Sequence, residues 1–274
     1  MWKRIAEFFQ EIELLLISSL KRNLQRHRDW ERDEGFQWSA WQAEKLREIE
    51  RFRKENREIV REFAPVIDAE TEALMREQFQ EGREQVDREI EAMPLGKRPR
   101  PKFFRVNDKK MEALINEIQN TAQTAESAAL RLMDDVYRKT ILKAQTTLSV
   151  GAVTPQQAVD MAVKDFLAQG INCIEYRDGR RVNIASYAEM ALRTAATRSY
   201  LRGEAARRAE YGIDTVLVSQ YGACSETCLP WQGRAYIDDV WGDFQGEKSS
   251  TMGKSRNGKW YPLLSVAVKN GLFH

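Results

Sequence analysis

Apolar side chains recur at helical spacing along most of the first 150 residues, and this pattern predicts long amphipathic helices. The first predicted helix covers residues 2–26. A second is expected to end at Pro65, because proline lacks a backbone donor, and Asp68 is expected to cap a third. Each helix has a single apolar face, so each is expected to pack against another helix or a partner protein. The apolar positions are Trp2, Ile5, Phe9, Ile12, Leu16 and Leu20 in the first helix, Trp38, Trp41, Leu46, Ile49, Phe52, Ile59 and Phe63 in the second, and Leu74, Phe79, Val86 and Ile90 in the third.

The helical pattern is interrupted at residues 94–106, where three prolines and five basic residues occur without an acidic one. Proline disfavours helix, so this segment is predicted to be an extended linker. Its basic side chains could contact nucleic acid or could simply be solvated. The pattern leaves both interpretations open.

The next elements are predicted from periodicity and from capping residues. A long helix is expected over residues 108–149, and a shorter one over 154–170, where Thr154, Pro155 and Gln157 have the spacing of a helix start. The stretch INCIEYRDGRRVNI then predicts a β-hairpin that turns at Asp178 and Gly179.

A second capping box, formed by Ser186 and Glu189, predicts a helix that ends near Tyr211. The stretch IDTVLVS after it is predicted to be a strand, and the polar stretch GEKSSTMGKSRNGKW a mobile loop. We expect the first of the helix's five arginines to be partly buried and the others to be exposed: Arg193, Arg198, Arg202, Arg207 and Arg208.

Together these elements predict an α+β protein, with long helices in the first two thirds and a small C-terminal domain built on a short sheet. The predicted organisation has four parts: an amphipathic helical region, a basic proline-rich linker, a helical region that ends in a hairpin, and a C-terminal α+β domain. Their boundaries are 1–93, 94–106, 107–185 and 186–274.

Charge is distributed unevenly although the net charge is only +2. Residues 1–93 contain 17 Lys and Arg against 22 Asp and Glu, whereas residues 94–274 contain 26 against 19. An excess of positive charge suits an acidic partner or a phosphate backbone, although two solvated surfaces of different charge would give the same counts.

The N-terminal stretch MWKRIAEFFQEIELLLISSL superficially resembles a signal sequence, but glutamates interrupt it and its longest apolar run covers only residues 14–17. We therefore expect neither a secretory signal nor a membrane span. Three cysteines in 274 residues also argue against a disulfide scaffold and favour assembly in a reducing cytoplasm.

The stretch GACSETCLPWQGRAY carries the most distinctive local chemistry. Cys224 and Cys228 are separated by three residues in a predicted loop. His274 could supply a third ligand for a structural zinc ion, with Cys173 or a water as a fourth. Two other interpretations remain open, namely a pair of reduced structural thiols and a local disulfide. Nearby aromatics could stack on nucleic-acid bases or fill a small core: Tyr221, Trp231, Tyr236, Trp241, Trp260 and Tyr261.

Little in the chain indicates catalysis. Only two histidines occur, His27 and His274, and neither a phosphate-binding glycine loop nor a dinucleotide fingerprint is present. No catalytic residue is predicted.

Residues 186–274 resemble the C-terminal domain of tailed-phage minor capsid proteins, most closely the phage minor capsid protein 2 family, which is related to the Mu F-like head morphogenesis proteins. That family pattern usually continues beyond the closing histidine to further Cys and His residues, which implies that the missing metal ligands lie past residue 274. The matching elements are Tyr187-Ala188-Glu189-Met190, Arg193-Thr194, Gly212-Ile213-Asp214, Cys224 and Cys228 with Pro230-Trp231-Gln232-Gly233-Arg234, Tyr261, and Leu272-Phe273-His274.

The resemblance implies a structural protein, present in few copies per virion and bound to the portal inside the capsid. Such a protein would assist head assembly and DNA packaging or delivery, and it would pass through the host cytoplasm during assembly. The implied partners are the portal protein, a scaffolding or major capsid protein, and packaged DNA.

Two alternatives from other functional classes stay open. The C-terminal domain also looks distantly similar to ADP-ribosyltransferases, so an NAD-dependent enzyme or a toxin-related effector is one. Non-specific DNA binding through residues 94–274 is the other.

Overall fold

The computed structural model describes the backbone of most of the chain, namely residues 2–34, 38–94, 99–101, 108–150, 157, 160, 161, 164, 171–176, 179–222 and 225–272. Side chains are described for the same residues except 2, 27–34, 38–46, 108–110, 141–150, 172 and 173.

Long α-helices make up most of the described chain, as the periodicity predicts. Helix α1 spans Trp2–Glu34, α2 spans Trp38–Glu91, α3 spans Asp108–Val150 and α4 spans Ile184–Glu210. None of the helices in the described ranges has both the length and the hydropathy that crossing a lipid bilayer requires.

The chain divides into two compact units. The first unit comprises Met1–Leu74 and Ile115–Thr194, and the second comprises Met75–Leu114 and Ala195–His274. Helices α2, α3 and α4 therefore each have one segment in the first unit and one in the second. The fourfold organisation described from the sequence stays a prediction.

The core of the first unit follows the predicted apolar stripes. The rings of Phe52 in α2 and Tyr137 in α3 are stacked, with their centroids 4.5 Å apart. Burial of such a stripe supplies most of the stability of a helix in a folded protein. The buried residues include members of the predicted stripes, namely Ile5, Phe9, Ile12, Leu16 and Leu20 of α1, Ile49 of α2 and Ala125 of α3, and others that were not predicted, namely Val60 and Ile67 of α2 and Ala129 and Met133 of α3.

Helix α2 continues through Pro65, so the prediction that this proline ends a helix is wrong. Contacts with α1 lie on both sides of the proline. The rings of Phe8 and Phe63 are 6.2 Å apart, and Arg4 forms a 3.0 Å salt bridge with Glu70. Packing along both flanks holds the helix together although one backbone hydrogen bond is lost.

The predicted hairpin is confirmed. Strand β1 (Asn172–Glu175) pairs antiparallel with β2 (Arg181–Asn183), and Gly179 adopts a positive φ of 81° between them. Positive φ favours glycine because a side chain there would be strained.

Helix α4 begins at Ile184, directly after β2, which corrects the predicted capping box at Ser186. The backbone N–H of Ser186 donates to Oδ1 of Asn183 at 2.7 Å, so Asn183 is the capping residue. Its position three residues before the bonded N–H is the usual geometry of a helix cap. Of the predicted helix 154–170, Gln157 is helical, whereas Thr154 and Gly170 lie outside the described residues.

The C-terminal part of the second unit contains short antiparallel strand pairs, which confirms the α+β class. Strand β3 (Thr215–Leu217), within the predicted strand, pairs with β4 (Ala235–Ile237), and β5 (Met252–Lys254) pairs with β6 (Trp260–Pro262). A short 3-10 helix covers Leu229–Trp231, and α5 covers Leu264–Lys269.

Strands β5 and β6 occupy the stretch that was predicted to be a mobile loop, so that prediction is wrong. The carboxylate of Asp214 accepts hydrogen bonds from Ser255 Oγ at 2.6 Å and from the Arg256 backbone N–H at 2.9 Å. Gly258, with φ of 83°, forms the turn. Because the anchoring residue is distant in sequence, local polarity did not indicate the hairpin.

Candidate functional site

Gly82 of α2 and Gly203 of α4 bring two helix backbones into direct contact in the second unit. A Cβ on Gly82 would collide with the carbonyl oxygen of Tyr200, and a Cβ on Gly203 would collide with that of Phe79. Only glycine permits this approach, because any other residue would force the two backbones apart.

Ser199 strengthens the same crossing. This buried side chain donates a hydrogen bond from Oγ to the carbonyl oxygen of Met75 at 2.5 Å. A satisfied buried hydroxyl stabilises the fold, whereas leaving that hydroxyl without a partner would cost about 1–3 kcal/mol. The crossing of α2 and α4 is therefore specified by hydrogen bonding as well as by shape.

Beside the glycine contact lies a cluster of paired charges between α2 and α4. Arg83 Nη1 is 2.7 Å from Glu210 Oε1, and Arg207 Nε is 2.7 Å from Asp87 Oδ1. Arg207 also pairs with Glu210, and Tyr211 donates to Asp87 at 2.7 Å. The side chain of Glu210 is only 8% exposed, so its two arginine partners are needed to offset the cost of burying its charge.

The pKa values within this cluster suit a structural role. Burial alone would raise the pKa of Asp87, but hydrogen bonds from Arg207 and Tyr211 outweigh burial and lower it. The hydrogen bond with Asp87 raises the pKa of Arg207, and burial is the main cause of the raised pKa of Tyr211. Groups whose pKa values move away from neutrality are poorly suited to exchanging protons near pH 7.

The arginines of α4 therefore differ from the prediction. Arg193, expected to be partly buried, has a side chain that is 64% exposed. Arg207 and Arg208, expected to be exposed, have side chains that are 20% and 15% exposed. Arg208 pairs with Glu204 of the same helix at 3.1 Å and contacts Asp238 at 3.4 Å, so it connects α4 to the segment after β4.

Two aspartates after β4 organise the loops around it. Oδ1 of Asp238 accepts hydrogen bonds from the backbone N–H groups of Trp241 and Gly242 at 2.9 and 3.2 Å. Asp239 accepts hydrogen bonds from the backbone N–H and the hydroxyl of Ser265, at 2.9 and 2.6 Å, and so caps α5. These contacts position α5 against the strands.

Three of the six aromatic residues singled out from the sequence pack in a small core near β4, as one of the two interpretations proposed, whereas Tyr221 is 70% exposed. Tyr236 is buried and donates its hydroxyl hydrogen to the carbonyl oxygen of Trp231 at 2.7 Å. Trp231 and Trp241 pack against the buried cluster, whereas Trp260 is 44% exposed. The members of that cluster are Tyr236, Leu264, Ala267 and Leu272.

Of the three predicted metal ligands, the structure describes Cys228, while Cys224 and His274 lie outside the described residues. Cys228 is buried, and its Sγ donates a hydrogen bond to the carbonyl oxygen of Gly271 at 3.3 Å. This contact ties the C-terminal residues to the loop before the 3-10 helix. Within the described ranges, no group of three or more His, Cys, Asp or Glu side chains could hold a metal ion. The zinc site stays a prediction.

A cleft of about 760 Å³ lies alongside β3 in the second unit. Residues 215–219 line it, together with Val86 and Ile90 from the end of α2 and Met93, which follows that helix. Leu217 and Tyr221, which also line the cleft, are each 70% exposed. A cavity of this size with mostly apolar walls falls within the about 300–1,000 Å³ typical of binding pockets.

The glycine contact, the charge cluster and this cleft were not predicted from the sequence. Gly82 and Gly203 could have been noticed, because a glycine inside a predicted helix usually marks close packing or a function. No comparable signal indicates the pairing of Arg207 or the cleft beside β3, since both depend on residues far away in the chain.

Comparison with known families supplies an identity for this arrangement. The model of the family described as phage minor capsid protein 2 matches residues 1–259. The match includes the long helices, whereas the resemblance noted in the sequence rested on residues 186–274. The family match ends before the closing Leu272-Phe273-His274. No curated protein and no solved structure matches the chain significantly.

Proposed function

Since this chain belongs to the phage minor capsid protein 2 family and is thus a structural protein of the phage particle, we propose that it binds the portal on the inside of the capsid. There it assists head assembly and the packaging or delivery of DNA. The observation behind the proposal is the family match over residues 1–259. We further propose that scaffolding or major capsid protein and packaged DNA lie next to it, and that its role is structural and not catalytic.

The surface of α1 supports docking through the first unit. The apolar stripe of α1 is buried against its neighbours, yet Leu14 and Leu15 on the same helix are 57% and 36% exposed. Burying such exposed apolar side chains against a partner would remove their surface from water and so favour binding. We propose that this leucine pair contacts the portal.

The extent of α2 decides how this proposal should be tested. Deleting residues 1–93 would also remove Gly82 and Arg83, which pack against α4 in the second unit. Such a deletion would therefore damage the second unit as well as any docking surface. Substitutions in the full-length chain avoid this ambiguity.

The experiment compares the Leu14→Glu/Leu15→Glu variant with a Met161→Glu control, in co-expression with the portal protein of the same phage. Met161 is also in the first unit and is 48% exposed, so the control adds charge at a similar exposure. We expect co-purification with portal oligomers to be lost only in the leucine variant, while both variants keep the wild-type melting temperature. Full binding by the leucine variant would show that the docking assignment is wrong.

A further inference from the structure

Two of the three residues of β3 direct their backbone groups away from its partner strand. The backbone N–H of Val218 donates to the carbonyl oxygen of Arg234 at 3.0 Å, so Val218 faces the side of β4. In an antiparallel pair, alternate residues point their N–H and C=O groups to opposite edges. Thr215 and Leu217 therefore direct their backbone donors and acceptors away from β4.

That outer edge has no strand beside it within the described residues, where β3 pairs with β4 alone. Proteins usually protect such edges with charged side chains, proline or a covering element, because an open edge pairs readily with another chain. Residues Thr215–Leu217 contain neither charge nor proline, and Leu217 is 70% exposed. This edge is short, but among the described residues no charge, proline or neighbouring strand blocks the approach of another strand.

The cleft beside β3 adds side-chain selectivity to the open edge. Its apolar lining includes Val86, Ile90 and Tyr221, and it also contains the exposed Glu89 at the end of α2. The other charged groups in the lining, Glu204 and Arg208, pair with each other. The cleft thus offers apolar contacts and one carboxylate whose charge has no paired arginine or lysine among the described residues.

We propose that this cleft binds an extended segment of another phage structural protein, which joins the sheet as a new strand on the open edge of β3. The segment's backbone hydrogen bonds to Thr215 and Leu217, and its alternate apolar side chains enter the cleft. A basic side chain of the segment faces Glu89. The inference rests on the proposed structural role of the protein in the particle.

The test uses the full-length chain and peptides of about 15 residues that tile the portal, scaffolding and major capsid proteins of the same phage, a length that covers a typical strand. Leu217→Pro removes one outward-facing donor without breaking a bond between β3 and β4. Leu217→Thr keeps that donor and is the matched control. Affinities are measured by fluorescence anisotropy.

We expect at least one peptide with alternating apolar residues to bind the wild-type chain. Leu217→Pro should weaken its binding about tenfold or more, which corresponds to the loss of a backbone hydrogen bond in a shielded site, while Leu217→Thr should stay within about threefold. If Leu217→Pro lowers the melting temperature, peptides with N-methylated amides replace it as the probe. Methylating the alternate amides that face β3 should abolish binding, whereas methylating the intervening amides, which face away from β3, should leave binding unchanged.

Three outcomes overturn the inference. In the first, no peptide binds. In the second, the Leu217→Pro variant binds the peptide with normal affinity and the wild-type chain binds both methylated peptides equally well. In the third, the wild-type chain forms a dimer that Leu217→Pro dissociates. The last result assigns the edge to a second copy of this chain. Portal co-purification is measured in parallel: if Leu217→Pro retains it and the Leu14/Leu15 variant loses it, portal docking stands whatever the peptides show.

Discussion

In the first unit the helices meet through their side chains, whereas in the second unit α2 and α4 meet through their backbones. The stacked rings of Phe52 and Tyr137 represent the first kind of contact, and the reciprocal approach of Gly82 and Gly203 represents the second. Side-chain packing can adjust to small changes, because neighbouring rotamers shift. A backbone contact cannot adjust, so we expect the second unit to tolerate substitution less well.

Buried polar groups occur in both units. A buried polar atom has no hydrogen-bond partner among the described residues in Glu48, Asn56 and Tyr137 of the first unit and in Arg208 of the second. In the second unit, the buried carboxylate of Glu210 is paired with two arginines. Paired and hydrogen-bonded charges favour one arrangement of the elements, because any other arrangement leaves a charge buried alone. We therefore expect the charge cluster around Glu210 to hold α2 and α4 in one arrangement.

The largest effect is expected from Gly203→Ala. An alanine in place of glycine inside a helix usually stabilises a protein by about 0.5–1 kcal/mol, but here the new methyl group collides with the carbonyl oxygen of Phe79. We expect a loss of about 2–4 kcal/mol in the free energy of unfolding, measured by urea denaturation. Gly222→Ala is the control, because no described atom lies within 4 Å of its new Cβ. Increased stability of the Gly203→Ala variant would contradict the backbone contact.

Replacing one arginine in each unit should give a smaller and unequal loss. Arg207→Met breaks the pairs with Asp87 and Glu210, and we expect it to cost about 2–3 kcal/mol, because the buried carboxylate of Glu210 is left with Arg83 as its one remaining partner. Arg53→Met in the first unit breaks a salt bridge of 2.7 Å to Asp134, but Arg53 is 40% exposed, so the cost should be about 1 kcal/mol or less. Unfolding midpoints in urea compare the two variants. Equal losses would mean that the two units are specified alike.

Glu126→Gln in the first unit is expected to raise stability where the other variants lower it, and its effect depends on pH. Burial, with a further contribution from Asp68, raises the pKa of Glu126 from 4.5 to about 7. Above its unfolded pKa the unfolded state loses the proton first, so wild-type stability should fall as the pH rises from about 4.5 to about 7 and then level off.

The glutamine variant lacks this proton equilibrium. It should be more stable than the wild type by about 3 kcal/mol at pH 8 and nearly equal to it at pH 4, as measured by thermal melting across that range. Glu117→Gln, at an exposed position of α3, controls for the lost negative charge. A constant difference between Glu126→Gln and wild type at all pH values would rule out a protonation effect.

Most local patterns agree with the described parts of the fold, but the helix end at Pro65, the capping box at Ser186 and the loop over β5 and β6 do not. The stripe of α1, the hairpin at Gly179 and the strand at Thr215–Leu217 were predicted. The candidate site was predicted less well. Cys228 lies in a buried turn tied to Gly271, but its two proposed co-ligands are not described, and the cleft beside β3 was not foreseen.

The sequence by itself determined the helices, the hairpin and the α+β class, because each depends on residues a few positions apart. Membership of the phage minor capsid protein 2 family follows from the sequence too. Only the tertiary structure decided that α2 continues through Pro65 and that Asp214 anchors the β5–β6 hairpin. It also decided that Gly82 and Gly203 lie where the backbones of α2 and α4 touch. Each of these features depends on groups that are distant in the chain and become neighbours only when the protein folds, so no local pattern records them.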